Sequence, residues 1–132
     1  MSLVVDASVI VAALVDGGER GAWAESALAE SPLFAPALMP VEVANVLRRA
    51  CLAGEISSDI GSQAHADLLD LPVELLPYEP FGPRVWELRE NLTAYDAWYV
   101  AVAEWLDVPL ATLDVRMPRS AGPRCAFRAP AT

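Results

Sequence analysis

Two short, largely apolar runs, Leu3-Val4-Val5 and Leu110-Ala111-Thr112-Leu113, each end on an aspartate, Asp6 and Asp114. Consecutive side chains of a strand point to opposite faces, so a run that is apolar at successive positions must be covered on both sides. Such strands belong to parallel sheets whose crossovers lay helices over both faces. The segments between the two runs supply those helices. From Ser8 to about Val15 the chain reads as helix, Gly17-Gly18 breaks it, and a second helix runs from about Glu19 to Glu30. Pro32 and Pro36 bracket an extended piece, Leu33 to Ala35, and Pro40 suits the first turn of a helix running to the Gly54 stop. Ser57 or Ser58 caps the next helix, whose apolar residues Ile60, Ala64, Leu68 and Leu71 follow helical spacing until Pro72. Val73 to Leu76 is strand-like, Phe81 to Leu92 and Ala94 to Leu106 are helical, and Cys125 to Phe127 forms a final edge strand. The expectation is one α/β domain spanning residues 1–132, with a central, mostly parallel sheet flanked by helices on both faces.

Length and composition narrow the classes open to this fold. With 132 residues and 55% hydrophobic residues, the chain can build one real core but not two. The two cysteines, Cys51 and Cys125, stand far apart, which supports neither a thiolate metal knuckle nor a disulfide framework and suits a reducing cytoplasm. Both are expected to be small core residues. The apolar N-terminus lacks a basic leader region, is interrupted by Asp6 and Ser8, and falls short of the ~20 apolar residues that span a bilayer. No membrane role is expected. Net charge is −9 and every basic residue is an arginine. Phosphate backbones are repelled by such a chain unless negative charge is neutralised locally.

The acids fall where chemistry is done in open α/β sheets, at the carboxyl ends of parallel strands. Asp6 and Asp114 follow their strands directly. Glu42 lies in the first turn of its helix and shares a face with Asn45 and Arg49, opposite Val43, Val46, Leu47 and Ala50. Asp96 opens the apolar helix from Ala94 to Leu106. Taken singly, each has a structural explanation: Asp6 and Asp114 as helix caps, Thr93 to Asp96 as a capping box with Asp in place of Glu, Glu42 as a complement to its helix dipole. Taken together, they place a carboxylate at four chain positions that this fold could bring to one edge. Converging carboxylates repel and raise one another's pKa values, and hard divalent cations with oxygen ligands relieve that cost. The same cations would supply the neutralisation that a nucleic-acid substrate demands. His65 is the chain's one histidine and is read as solvated, so a two-histidine ribonuclease is impossible. A Ser/His/Asp triad would have to use that helix-surface residue, and no G-x-S-x-G elbow, P-loop or G-x-G-x-x-G occurs. Metal-assisted hydrolysis is the chemistry left.

Four ordered pieces, Val4-Val5-Asp6-Ala7-Ser8, Pro40 to Arg49, Leu92 to Tyr99 and Leu110 to Asp114, resemble the PIN domain. Within it they resemble the VapC toxin group of bacterial toxin–antitoxin pairs. The resemblance implies an acidic pocket for Mg²⁺ or Mn²⁺ and cleavage of RNA phosphodiesters. Matched by motif, Asp6, Glu42, Asp96 and Asp114 are the metal-binding and catalytic acids, with Ser8, Asn45 and Thr112 as supporting polar residues. It further implies a homodimer and a cognate VapB-like antitoxin covering the pocket. Arg49, Arg116 and Arg119 are candidate RNA contacts, each with an equally plain reading as solvated surface arginine. Tyr95, Trp98 and Tyr99 could stack bases, but core packing is the expectation for that apolar helix. One departure from the family pattern stands after Asp114, where Pro118 interrupts a segment commonly helical in this group; a helix there would carry it in the first turn. A phospho-acceptor receiver domain and a haloacid-dehalogenase-type phosphatase both fit poorly, since each normally needs a lysine near its acids. A catalytically idle PIN-like module binding RNA or protein is the alternative from another class.

Overall fold

The computed structural model describes residues 1–30 and 32–131; Ser31 and Thr132, which the expected domain includes, lie outside this description. Five strands form one sheet in the order β3-β2-β1-β4-β5, comprising β1 (Leu3–Val5), β2 (Leu33–Pro36), β3 (Val73–Leu76), β4 (Leu110–Ala111) and β5 (Phe127–Arg128). Every pairing is parallel. The expected mostly parallel sheet is therefore wholly parallel among the described residues. Leu3, Val4 and Val5 are all fully buried, so both faces of β1 are covered. The outer strands differ: β3 exposes Glu74 and Leu75, as an edge strand does.

Six helices complete the fold among the described residues: α1 (Ala7–Val15), α2 (Glu19–Leu28), α3 (Met39–Leu52), α4 (Ser58–Asp70), α5 (Gly82–Glu87) and α6 (Ala94–Leu106). The helices α1 to α4 pack on one another, while α5 packs on α6 and α6 lies against β1, β2 and β4. Its seven consecutive residues from Ala97 to Val102 and Ala103 are buried, which is why the sequence reads apolar on nearly all sides. Asp107 ends α6 in the left-handed conformation, φ 55°, and its N–H bonds back to Ala103 and Glu104.

Besides shifts of one or two residues at other ends, three elements in the C-terminal half differ from expectation. The helix expected over Phe81 to Leu92 is a 3-10 turn at Glu79–Phe81 followed by the six-residue α5. After Glu87 the backbone tightens into three-residue bonds, Arg89 to Trp86 and Asn91 to Leu88, that turn the chain toward α6. The strand β4 is assigned only to Leu110–Ala111, although Thr112 N–H still reaches Arg128 O at 3.0 Å. The last strand lies at Phe127–Arg128, starting two residues later and ending one later than expected. Cys51 and Cys125 are half-buried rather than core residues. His65 is exposed, as expected. After Asp114 the chain makes one 3-10 turn, Met117–Arg119, with Pro118 in its first turn as the proline requires.

Candidate active site

The chain adds β2 and β3 on one side of β1 and β4 and β5 on the other. Crossovers leaving in opposite directions open a crevice at the carboxyl ends of β1 and β4, the topological switch point of the sheet. Asp6 and Asp114 stand at that crevice, Glu42 enters from the β2 side at the start of α3, and Asp96 from the start of α6. All four predicted acids thus reach one edge.

Asp6 is 5% exposed and both of its oxygens are occupied. Oδ1 accepts from the Ser8 hydroxyl and from Val9 N–H at 3.2 Å, which caps α1, while Oδ2 accepts a short bond from Thr112. The two hydroxyls also accept bonds from the β4 side: Leu113 N–H reaches Ser8 Oγ at 3.1 Å and Asp114 N–H reaches Thr112 Oγ1 at 2.9 Å. Asp6 is therefore helix cap and centre of a cross-brace between β1 and the residues after β4. Burial pushes its pKa up, the Ser8, Thr112 and Val9 bonds pull it back, and the Asp96 charge raises it further.

Glu42 accepts from the Tyr99 hydroxyl at 2.8 Å. Burial raises its pKa, the Tyr99 bond opposes that, and the charges of Asp96 and Asp6 add to it. Burial foremost, then Glu42, holds the Tyr99 phenol protonated far above its ordinary range, so it is a permanent donor. Core packing is the expectation for Tyr99. It is buried, but it is also the residue that aims Glu42, and its position three residues beyond Asp96 on one helix was the available signal.

Asp96 receives half of the expected capping box. Thr93 Oγ1 accepts from Asp96 N–H at 3.2 Å, without a return bond from Thr93 N–H among the described residues. Burial and then the charge of Asp114 raise its pKa, against Arg116 and Thr93. Asp114 behaves oppositely. Arg116 grips its carboxylate from Nε and Nη2, both at 3.0 Å, with the Arg116 N–H on Oδ1 at 3.0 Å, and holds its pKa below the ordinary range.

Three carboxylates pushed toward protonation by burial and by one another form an electron-rich oxygen cluster that a divalent cation would relieve. As they stand, however, no three His, Cys, Asp or Glu side chains among the described residues make a ready group for a metal ion. Asp6 is turned to Ser8 and Thr112, Glu42 to Tyr99 and Asp114 to Arg116. The donor set itself fits a hard cation, being all oxygen with no thiolate or imidazole.

Asn45 and Arg49 line the cleft that Glu42 opens onto, and Arg119 lines a groove beside Asp114. The expectation for the aromatic residues of α6 divides: Trp98 and Tyr99 are buried, but Tyr95 is 57% exposed in the Glu42 cleft, which corrects its assignment to the core. It lies in the first turn of α6, before the helix enters the interior.

A sheet, switch point and acid quartet of this kind define a PIN-type nuclease fold, and residues 3–123 match the PIN domain. The chain belongs to the PIN-domain family. Ribonuclease VapC1 of Mycobacterium tuberculosis is 43% identical over 129 residues, covering 95% of each chain. The crystal structure of Mycobacterium tuberculosis VapC20, a sarcin–ricin loop cleaving toxin, superposes with a TM-score of 0.68 at 19% identity, over 89% of this chain and 93% of that one. VapBC-5, a toxin–antitoxin system member from the same organism, superposes with a TM-score of 0.56 at 22% identity, over 97% and 96%. These structural likenesses are of fold.

Proposed function

We propose that the chain is an endoribonuclease that hydrolyses RNA phosphodiester bonds with Mg²⁺ or Mn²⁺, and that it is the toxin of a VapBC-type pair. The observation that carries the reading is the gathering of Asp6, Glu42, Asp96 and Asp114 at the switch point of a chain whose relatives are named VapC ribonucleases. A cation held by those four acids supplies Lewis acidity toward phosphate and acidifies water, which removes the need for a histidine base. The protein's part is positioning. Ser8 and Thr112 fix Asp6 from two sides, Tyr99 fixes Glu42 through one oxygen and leaves the other available, and Asn45 stands beside Glu42 as a further polar group. Arg49 and Arg119 offer positive charge on either flank of an otherwise acidic edge, and Arg116 adds a guanidinium at its centre.

The test is digestion of total cellular RNA by the purified, partner-free protein with Mg²⁺ or Mn²⁺, alongside EDTA and folded Asp96→Asn. Discrete cuts that vanish in both controls support the reading. The acids' separate engagements, above all Arg116 on Asp114, favour a second reading, the idle PIN-like binding module. Divalent-ion binding without turnover on any RNA would select it. A VapB-like antitoxin and a homodimer are the proposed partners; co-expression with any short reading frame adjacent to the gene and the mass of the purified species test both.

A further inference from the structure

Two clefts open from opposite ends of the acidic edge. The sheet order sets β2 on one flank of β1 and β4 on the other. On the β2 flank lies a cleft of about 520 Å³ bordered by Val41, Glu42, Arg49 and Tyr95. On the β4 flank lies a groove of about 370 Å³ bordered by Glu19, Arg20, Asp114, Val115, Pro118 and Arg119. The two share no residue, and each has one of the four acids in its wall.

The first cleft contains an anomaly that packing does not explain. Tyr95 and Val41 are more than half exposed, side by side with the site, while α6 buries its whole middle. An exposed aromatic ring beside an arginine is the usual platform for a nucleobase, because every base has a face to stack. The second groove contains the complementary feature. Arg20 and Arg119 form no ion pair among the described residues, although the chain carries a net charge of −9 and has acids to spare. Unpaired guanidiniums over walls of proline and valine suit one nucleotide, with its base on the apolar wall and its phosphate at the rim. A duplex would keep its bases stacked away from both spaces.

We infer that an unpaired RNA segment crosses the carboxyl edge of the sheet, with a base stacked on Tyr95 at the Glu42 end and the nucleotide beyond the acids held in the Arg20–Arg119 groove. The inference rests on the ribonuclease reading and adds to it the strand's path and two subsites. The phosphate between the two nucleotides then lies over the acids, so the path itself chooses the bond to be cut.

The experiment begins with wild-type digestion, which locates a cut. An oligoribonucleotide spanning that cut, free or annealed to its complement, is then used to measure affinity on the Asp96→Asn background and KM and kcat on the active one. Tyr95→Ala and the pair Arg20→Ala/Arg119→Ala are each expected to weaken binding of the unpaired oligonucleotide roughly tenfold. KM should rise more than kcat falls, and Tyr95→Phe should recover most of the affinity by restoring the ring. Unchanged affinity in these folded variants overturns the inference while leaving the nuclease intact, and means that the clefts serve a protein partner instead. Equal binding of the duplex overturns it as well. If the wild type makes no cut, the ribonuclease reading fails and takes the subsites with it.

Discussion

Thr112→Val removes one oxygen from the cross-brace and little else, which makes its cost calculable. Thr112 is fully buried and valine nearly matches its shape, so no large cavity opens. Two hydrogen bonds disappear. The bond donated to Asp6 is charge-assisted and buried, which puts its loss at ~1.5–3 kcal/mol. The bond accepted from Asp114 N–H lies where water can reach, so it adds only ~0.5–1 kcal/mol. The variant should lose about 2–4 kcal/mol, and at ~4 °C per kcal/mol for a chain of this size its Tm should fall by roughly 8–16 °C.

The loss should also depend on pH, with a definite sign. Asp6 has its folded-state pKa raised by burial, so the folded protein holds the proton more tightly than the unfolded chain. Its contribution is fully present below the ordinary carboxylate range and is lost as pH rises through the folded value. Removing the Thr112 donor raises that value further, so the variant loses more than the wild type on the way to neutrality. The gap between them should widen from pH 4.5 to pH 8, and Thr112→Ser should close most of it. Thermal melts of the three proteins in EDTA measure this. A Thr112→Val protein within about 0.5 kcal/mol of wild type at neutral pH, or a gap that does not change with pH, would refute the reasoning.

The same linkage extends to the metal-free wild type. Asp6, Glu42 and Asp96 are all raised, foremost by burial, so its Tm in EDTA should be higher near pH 5 than near pH 7.5. Asp114, held down by Arg116, stays ionised across that window and does not offset them. At neutral pH a divalent ion at ten times its Kd should restore about 1.4 kcal/mol, and a melt indifferent to Mg²⁺ and Mn²⁺ would count against the metal reading. Tyr99→Phe should cost only ~1 kcal/mol of stability but weaken Mn²⁺ binding by roughly tenfold, measured by calorimetry, because Glu42 loses its orienting donor. Away from the site, Arg84 bonds Glu104 at 2.7 Å and Gly122 O at 2.8 Å, and Glu104 also accepts from Arg124 N–H at 2.7 Å. Glu104→Gln should cost about 1–2 kcal/mol, discounted for partial exposure, and speed hydrogen exchange at Arg124. Unchanged exchange there would show that this tie does not hold the segment down.

The strands and the acids were legible because each is stated by residues close together in the chain. Leu3-Val4-Val5-Asp6 names a buried strand and the residue at its carboxyl end, and helical spacing put Glu42, Asn45 and Arg49 on one cleft of α3. What the sequence could not state was the pairing of hydroxyls across the crevice. Ser8 and Thr112 are more than a hundred positions apart, and only the β1–β4 neighbour relation makes them two ends of one brace. Tyr95 and Tyr99 illustrate the same limit on one helix. Both sit four residues apart on α6, yet one meets solvent before the helix enters the core and the other meets Glu42 from α3. The shortened α5 and the late β5 follow from local turns, where propensity is weak and the neighbouring elements decide.

The arrangement of the acids also explains why they are separately engaged rather than assembled. Held close with no cation, four carboxylates would suffer mutual repulsion in a partly dry site, and the folded state would bear it in full. The fold spreads that cost. Asp6 is neutralised in effect by three donors, Glu42 by a phenol that stays protonated, and Asp114 by a guanidinium supplied two residues on. Arg116 is 86% exposed, so its hold on Asp114 is screened by solvent and easily released. The donors to Asp6 and Glu42 are buried, save the half-buried Ser8, and stay in place. Should a cation enter the edge, Arg116 is the partner it would displace most easily, and the freed guanidinium would remain beside the acids.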